Sequence, residues 1–159
     1  MTPMQMFAVS LAYMIDADGL RPAEEKAEFL SILGKHVTRG EFTERGLAEL
    51  SKYAFDFVEQ NDLDTFLTLA TPKLSNLQRA AIYINALETM LVDGTVREIE
   101  NTVLKKFQDA FQIDRDAVLA VREIIYIKND TRMFLYPEHP RNSPTEYLAV
   151  RYSRFRENS

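Results

Sequence analysis

Apolar residues recur every three to four positions along most of the chain, which is the period of an amphipathic α-helix. Few glycines and many Ala, Leu and Glu residues agree with this pattern. We therefore predict an all-α fold with about seven to eight helices. The pattern places the predicted helices over 3–17, 22–39, 43–60, 63–70, 76–92, 95–111 and 114–128.

The apolar stripe of each predicted helix indicates which residues face the core. On the first helix we expect Phe7, Leu11, Met14 and Ile15 to face inward. The corresponding stripe of the fifth helix is Leu77, Ala80, Ala81, Ile84, Leu87 and Leu91. On the sixth helix it is Ile99, Val103, Phe107 and Phe111.

Several helix ends carry recognisable capping residues. Thr43 and Asp114 stand where an N-cap side chain would accept a bond from the backbone of the first turn. Thr95 and Glu98 have the spacing of a capping box. Asp18-Gly19 is expected to end the first helix, because Gly readily adopts the left-handed conformation found at helix ends.

The periodicity breaks after Asn129, where Pro137, Pro140 and Pro144 follow within a short stretch. We therefore divide the chain into a helical domain, residues 1–128, and a C-terminal extension, residues 129–159. Ser143-Pro144 resembles a helix start, so a short helix is predicted at 144–155.

An acidic motif occurs twice, 75 positions apart. Asp18-Gly19 is followed by Glu25, and Asp93-Gly94 is followed by Glu100, each with five residues between Gly and Glu. Apolar residues around the two motifs also align with one another. The duplication predicts two helical halves related by a pseudo-twofold axis rather than a solenoid, which needs about three or more units.

The spacing from Gly to Glu matches the second part of an EF-hand calcium loop. Asp16 adds a further carboxylate to the first copy, although Met14 stands where the first Asp of the loop should be. In the second copy, Leu91 and Thr89 occupy the places of Asp16 and Met14. Neither copy is a complete loop, but carboxylates and water can hold a hard cation such as calcium weakly. The candidate metal ligands are Asp16, Asp18, Glu25, Asp93 and Glu100. A purely structural role, as turn and helix-start residues, is the alternative.

Charge and composition exclude several classes of function. The formal charge is −5, and residues 1–128 carry −6, which argues against a nucleic-acid partner. Because Cys is absent, disulfides and thiolate metal sites are excluded. No secretory leader and no membrane span are visible, so we expect a cytoplasmic protein.

We expect no enzymatic activity, no organic cofactor and no small-molecule substrate. His36 and His139 are the only histidines, and no catalytic triad, phosphate-binding loop or dinucleotide fingerprint appears. A metal-dependent hydrolase is the weaker alternative, and a two-metal carboxylate cluster would be its mark.

The duplicated Asp-Gly…Glu turns on helical hairpins resemble the TerB-like family, named for tellurite resistance. The resemblance covers about residues 4–127 and is greatest from Leu87 to Leu104, which includes the sequence Val-Asp-Gly. Val92 departs from the family pattern, which usually has a small residue before Asp-Gly. The extension from Asn129 has no recognised counterpart.

This resemblance implies an all-helical fold of two pseudo-twofold-related halves, an acidic surface that binds divalent cations, and a role in a bacterial stress response. Four residues carry the family motif, and Asp16 is added on chemical grounds. The four are Asp18, Glu25, Asp93 and Glu100. Because related modules occur in unrelated proteins, tellurite resistance itself does not follow.

The extension mixes aromatic and Arg residues, among them Phe134, Tyr136 and Tyr147. We expect it to dock on its own acidic helical domain. A contact with a protein partner or a second copy is the main alternative, and in that case the chain is an interaction scaffold without metal. Nucleic-acid binding is the weakest of the three interpretations.

Overall fold

A computed structural model of the chain describes residues 1–17, 27, 29–35, 39–40, 42–91 and 98–148, with the backbone alone at Glu100. These residues form helices, turns and loops, and no strand occurs among them. The helices are α1 (Pro3–Ala17), α2 (helical over the described residues 29–35), α3 (Glu44–Gln60), α4 (Leu63–Ala70), α5 (Asn76–Leu91), α6 (Glu98–Phe111), α7 (Arg115–Asn129) and α8 (Arg132–Leu135). The all-α prediction is confirmed, and the internal pseudo-twofold symmetry stays a prediction.

The chain divides into two compact units, Met1–Ile113 and Asp114–Ser159. Helix α7 therefore belongs to the second unit, whereas the break in periodicity placed the boundary after residue 128. Short 3-10 turns occur in both units, at Thr71–Lys73 and Pro140–Asn142.

Helix α1 is the central element of the first unit and packs against α3, α5 and α6. Every residue from Ala8 to Ile15 is buried, including Ser10, whose hydroxyl donates to the Met6 carbonyl at 2.8 Å. The sequence explains this burial because no charged residue occurs between Pro3 and Ile15. The helix is therefore buried all round rather than on a single stripe, as an apolar core helix should be.

The helix starts follow from capping side chains. Thr43 Oγ1 accepts from the Gly46 N–H at 3.0 Å, which confirms the predicted cap of α3. Asp114 Oδ2 accepts from the Ala117 N–H at 3.3 Å, which confirms the predicted cap of α7. The predicted cap Thr95 lies outside the described residues.

Ser75 and Gln78 form a reciprocal capping box at the start of α5. Ser75 Oγ accepts from the Gln78 N–H at 3.2 Å, and Gln78 Oε1 accepts from the Ser75 N–H at 2.9 Å. Two backbone donors that helix geometry leaves without partners are satisfied in this way.

The predicted inward face of α5 is wrong at its first turns. Leu77 is 80% exposed and Ile84 is 40% exposed, whereas Leu87 and Leu91 are buried as expected. The buried face consists of Ile82, Tyr83, Ala86, Leu87, Met90 and Leu91. Apolar residues occur on two sides of this helix, and packing against α1 and α6 selects one of them.

The predicted face of α6 is right at its end and wrong at its start. Phe107 and Phe111 are buried, but Ile99 is 60% exposed, and Leu104 is buried whereas Val103 is only half-buried. The stripe is therefore displaced by one residue at Val103, and the helix exposes Ile99.

The predicted helix at 144–155 does not begin at residue 144, because residues 144–148 form a turn followed by irregular chain. Ser143 Oγ accepts from the Thr145 N–H at 3.4 Å, and the Glu146 N–H donates to the Ser143 carbonyl at 2.9 Å. Such local bonds compete with helix formation. Residues 149–155 lie outside the described part of the chain.

Helix α6 ends in a Schellman motif with a non-glycine residue in the left-handed position. Gln112 has φ +55°. Its N–H donates to the Asp109 carbonyl at 3.3 Å, and the Ile113 N–H donates to the Gln108 carbonyl at 3.0 Å. This pair of bonds satisfies the last carbonyls of the helix, but the conformation is unfavourable for a residue with a Cβ atom.

Gln112→Gly is therefore expected to raise the free energy of unfolding by roughly 0.5–1 kcal/mol. Urea denaturation measures this change as an increase in the midpoint at constant slope. Gln112→Ala is the matched control, because it shortens the side chain without relieving the strain. A Gly variant no more stable than the Ala variant would contradict the assignment.

Candidate cation site at the acidic turns

The first acidic turn follows directly after the buried helix α1. The helix ends at Ala17, as the sequence predicted, and Asp16 lies in its last turn with an exposed side chain. Asp18, Gly19 and Glu25 lie outside the described residues. Of the first motif's candidate ligands, the structure therefore places Asp16 alone.

The second acidic turn joins α5 to α6. Helix α5 ends at Leu91, and α6 is described from Glu98. Asp93 lies outside the described residues. Glu100 is helical, in the first turn of α6, and its side chain is not described.

The helices attached to the two turns contact one another. Helix α1 packs against α5, and α6 packs against both. The two acidic turns are thus connected to a single group of packed helices, although the two motifs are far apart in sequence. Within the described residues, no group of three or more His, Asp or Glu side chains is arranged to hold a metal ion.

The C-terminal ends of α1 and α5 have no basic side chain to offset the helix dipole. The C-terminal end of a helix carries a partial negative charge, so basic side chains are the residues that stabilise it. Neither α1 nor α5 has a basic residue in its last turn. In α1 that turn carries Asp16 instead, whose carboxylate adds to the negative potential of the helix end.

Tyr13 fixes the end of α1 to the junction between α3 and α4. Its hydroxyl donates to the carbonyls of Asn61 and Asp62, at 2.7 and 3.0 Å. Burial raises the pKa of this hydroxyl to about 12, with smaller contributions from the carboxylates of Asp62 and Asp16. The Tyr13 side chain therefore fixes the last turns of α1, just before the first acidic motif, by hydrogen bonding to the backbone between α3 and α4.

Tyr13→Phe is expected to destabilise the protein by about 1–2 kcal/mol, because the two carbonyls lose the partly buried hydroxyl proton that they share. The native pKa of Tyr13 is raised above its unfolded value near 10. Its stabilising contribution is therefore complete below pH 10 and is lost as the pH rises from about 10 to 12. Urea midpoints measured from pH 8 to 12 test both expectations.

The Tyr13→Phe variant should lose less stability than the wild type across that alkaline range. Tyr147→Phe is the matched control, since Tyr147 is 83% exposed. An identical alkaline loss in the wild type and the Tyr13→Phe variant would contradict the assigned pKa shift.

The second unit contains a segment, residues 130–142, that sequence reasoning missed and that includes the one-turn helix α8; we call it the braced loop. Asp130 accepts from Arg132 Nε and Nη2, at 2.9 and 3.2 Å, and this guanidinium lowers the pKa of the Asp130 carboxyl. His139 Nε2 lies 3.5 Å from Asp130 Oδ2, and His139 Nδ1 accepts from the Arg141 N–H at 3.2 Å. His139 is therefore a loop-bracing residue in the described structure.

Asn142 closes the braced loop. Its side-chain amide donates to the carbonyls of Met133 and Tyr136, at 2.8 and 3.1 Å. The loop displays apolar side chains outward, since Phe134 is 88% exposed and Leu135 is 69% exposed. Spacing alone could not identify this arrangement, because the bracing residues are irregularly placed. The prediction that the extension docks on the helical domain stays a prediction.

Comparison of the chain with protein-family models, curated proteins and solved structures found no match. The resemblance to TerB-like proteins therefore rests on the duplicated motif and its helical setting. In the described part of the chain, no helix combines the length and the apolar character needed to cross a bilayer.

Proposed function

We propose that this chain is a non-enzymatic, TerB-like helical domain that responds to a divalent cation such as calcium. The duplicated acidic turn carries the proposal, because each copy follows a helix whose last turn has no basic residue. The family resemblance extends the proposal to a role in a bacterial stress response. In that role, cation binding changes the affinity of the domain for a protein partner.

The electrostatic argument favours a cation over a purely structural role for the turns. A structural role explains Asp-Gly, which forms a tight turn. It also explains a Glu in an early helical turn, which the helix dipole stabilises. Carboxylates after the C-terminal end of α1 face an unfavourable potential, which a bound cation would reverse. Asp16, in the last turn of α1, has no role in ending the helix and fits a ligand set better.

The first turn is the stronger candidate of the two. It offers Asp16, Asp18 and Glu25, whereas the second offers Asp93 and Glu100. Sites with few carboxylates and several waters bind calcium weakly, with dissociation constants of about 0.1–1 mM. We expect affinity in that range.

Isothermal titration with calcium, manganese and zinc tests the proposal. Asp18→Asn combined with Glu25→Gln should weaken binding at least roughly tenfold, because it removes two anionic ligands at nearly constant shape. Asp93→Asn combined with Glu100→Gln is the matched control and should have the smaller effect. Absence of heat above dilution at millimolar metal would refute the cation proposal.

A second candidate function is an interaction scaffold that uses the braced loop. The favouring observation is that Phe134 and Leu135 are displayed to solvent on a loop closed by hydrogen bonds. Adjacent exposed apolar side chains favour a protein contact over bare exposure to water, and a braced loop loses little entropy on binding.

Phe134→Ser combined with Leu135→Ser tests the scaffold function without removing the extension. Sedimentation velocity and pull-down should show lost self-association or lost partners, with an unchanged melting temperature. Leu119→Ser is the control, because Leu119 is 55% exposed on α7 and lies outside the loop. Unchanged association in the double variant would remove the loop as the contact.

A further inference from the structure

The first unit contains an apolar cavity of about 410 Å³ whose described lining includes no residue of the acidic turns. Its described lining residues come from the first turns of α1, from α2, from Leu74 and from α5. Met4, Phe7, Ile32 and Ile82 form much of its wall. Its volume falls within the range of small-molecule sites, about 300–1,000 Å³. The cavity is open to solvent on one side, because Lys35, Gln78 and Ala81 are exposed at its edge.

Among the residues that the structure describes, one charged side chain borders this apolar space. Of the described lining residues, Lys35 alone is ionic, and its side chain is exposed at the edge of the cavity. No ion pair of Lys35 occurs among the described residues. An ammonium group beside an apolar cavity attracts an anionic head group more than a neutral or cationic one.

Two amides give the cavity further polar contacts. The Oε1 atom of Gln78 is already hydrogen-bonded at the start of α5, because it accepts from the Ser75 N–H at 2.9 Å. Its Nε2 group is the donor left to reach a ligand oxygen. Asn85 also lines the cavity and donates from Nδ2 to the Ala81 carbonyl at 2.8 Å, which leaves its Oδ1 atom as an acceptor.

We propose that this cavity binds an alkyl carboxylate of medium chain length, with the chain against the apolar wall and the carboxylate beside Lys35. The single positive charge of Lys35 matches the single negative charge of a carboxylate. Phosphate sites commonly have several hydrogen-bond donors. Gln78 supplies a second donor to the same head group. This inference is argued from residues other than those of the cation proposal, because none of the described lining residues is a candidate metal ligand.

Methyl NMR of the full chain with labelled Met and Ile residues tests the site, with decanoate as the probe. The Met4, Ile32 and Ile82 methyl signals should shift saturably, whereas that of Ile99, which does not line the cavity, should not. Affinity should rise about fourfold per methylene from octanoate to decanoate. Decyltrimethylammonium should bind more than about tenfold more weakly than decanoate.

Two variants separate the head-group contact from the apolar contact. Lys35→Glu should weaken decanoate more than about tenfold and leave decanol unchanged, with the exposed Lys52→Glu as the charge control. Ala81→Phe should weaken binding of both ligands by placing a ring at the mouth of the cavity, with Leu77→Phe on the same helix as its control.

Several results would overturn the proposal. These are equal affinities for decanoate and decyltrimethylammonium, full decanoate affinity in folded Lys35→Glu protein, or no saturable shift of the Ile82 methyl. Lys35 is exposed, so its substitution leaves the fold intact and keeps the test decisive.

Discussion

Replacing Phe66 with Ala is expected to lower the free energy of unfolding by roughly 3–5 kcal/mol. Phe66 lies at the centre of the aromatic cluster of the first unit and is fully buried. Its ring centroid is 5.5 Å from that of Tyr13, 6.0 Å from that of Phe57 and 6.5 Å from that of Phe107. The Phe66 ring on α4 therefore contacts aromatic rings from three other helices, α1, α3 and α6.

The loss has two physical sources. Removing the ring loses the free energy gained by transferring it from water to the core. The surrounding rings cannot move enough to fill the cavity that remains. Edge-to-face and tilted ring contacts add about 0.5–1.5 kcal/mol each beyond area burial. Because Phe66 contacts three different helices, no single movement can fill the cavity.

Urea denaturation of Phe66→Ala measures the effect, and Phe134→Ala provides the matched control. Phe134 is 88% exposed, so its substitution should change stability by less than about 0.5 kcal/mol. Similar losses at the two positions would contradict the described core.

Leu87→Ala is expected to cost about 3–5 kcal/mol, whereas Leu77→Ala on the same helix should cost less than about 0.5 kcal/mol. Both leucines were predicted to face inward, yet Leu87 is fully buried and Leu77 is 80% exposed. The pair therefore tests the corrected face of α5 with identical chemistry at both sites.

Thermal and urea unfolding of the two variants give the comparison. Since both changes delete the same atoms from the same helix, differences in intrinsic helix propensity cancel. A larger loss at Leu77 than at Leu87 would restore the face that periodicity predicted and refute the described packing.

Much of the secondary structure could be predicted from local chemistry. Helix α1 runs from Pro3 to Ala17 as predicted, and the caps at Thr43 and Asp114 form as their residue types require. These features depend on contacts within a few residues, which the sequence displays directly.

Features that depend on packing were less predictable. On α5, Leu77, Ala81 and Ile84 form a helical stripe as regular as the one that is buried, and only the neighbouring helices decide between them. The cavity beside Lys35 and the braced loop at Asp130 combine residues distant or irregular in sequence, so no periodic signal marks them. For the cation site, spacing identified the motif and the helix ends, and the carboxylates lie mostly outside the described residues.

Paramagnetic broadening by Mn²⁺ tests the central proposal, that the duplicated acidic turn binds a divalent cation. Substoichiometric Mn²⁺ is added to the uniformly labelled chain, and amide signal loss is mapped by residue. The proposal predicts that signals of residues 16–25 disappear first, followed by those of 93–100, and that excess calcium restores them. Uniform broadening, or the strongest broadening at other carboxylates such as Asp56 or Asp109, would contradict it.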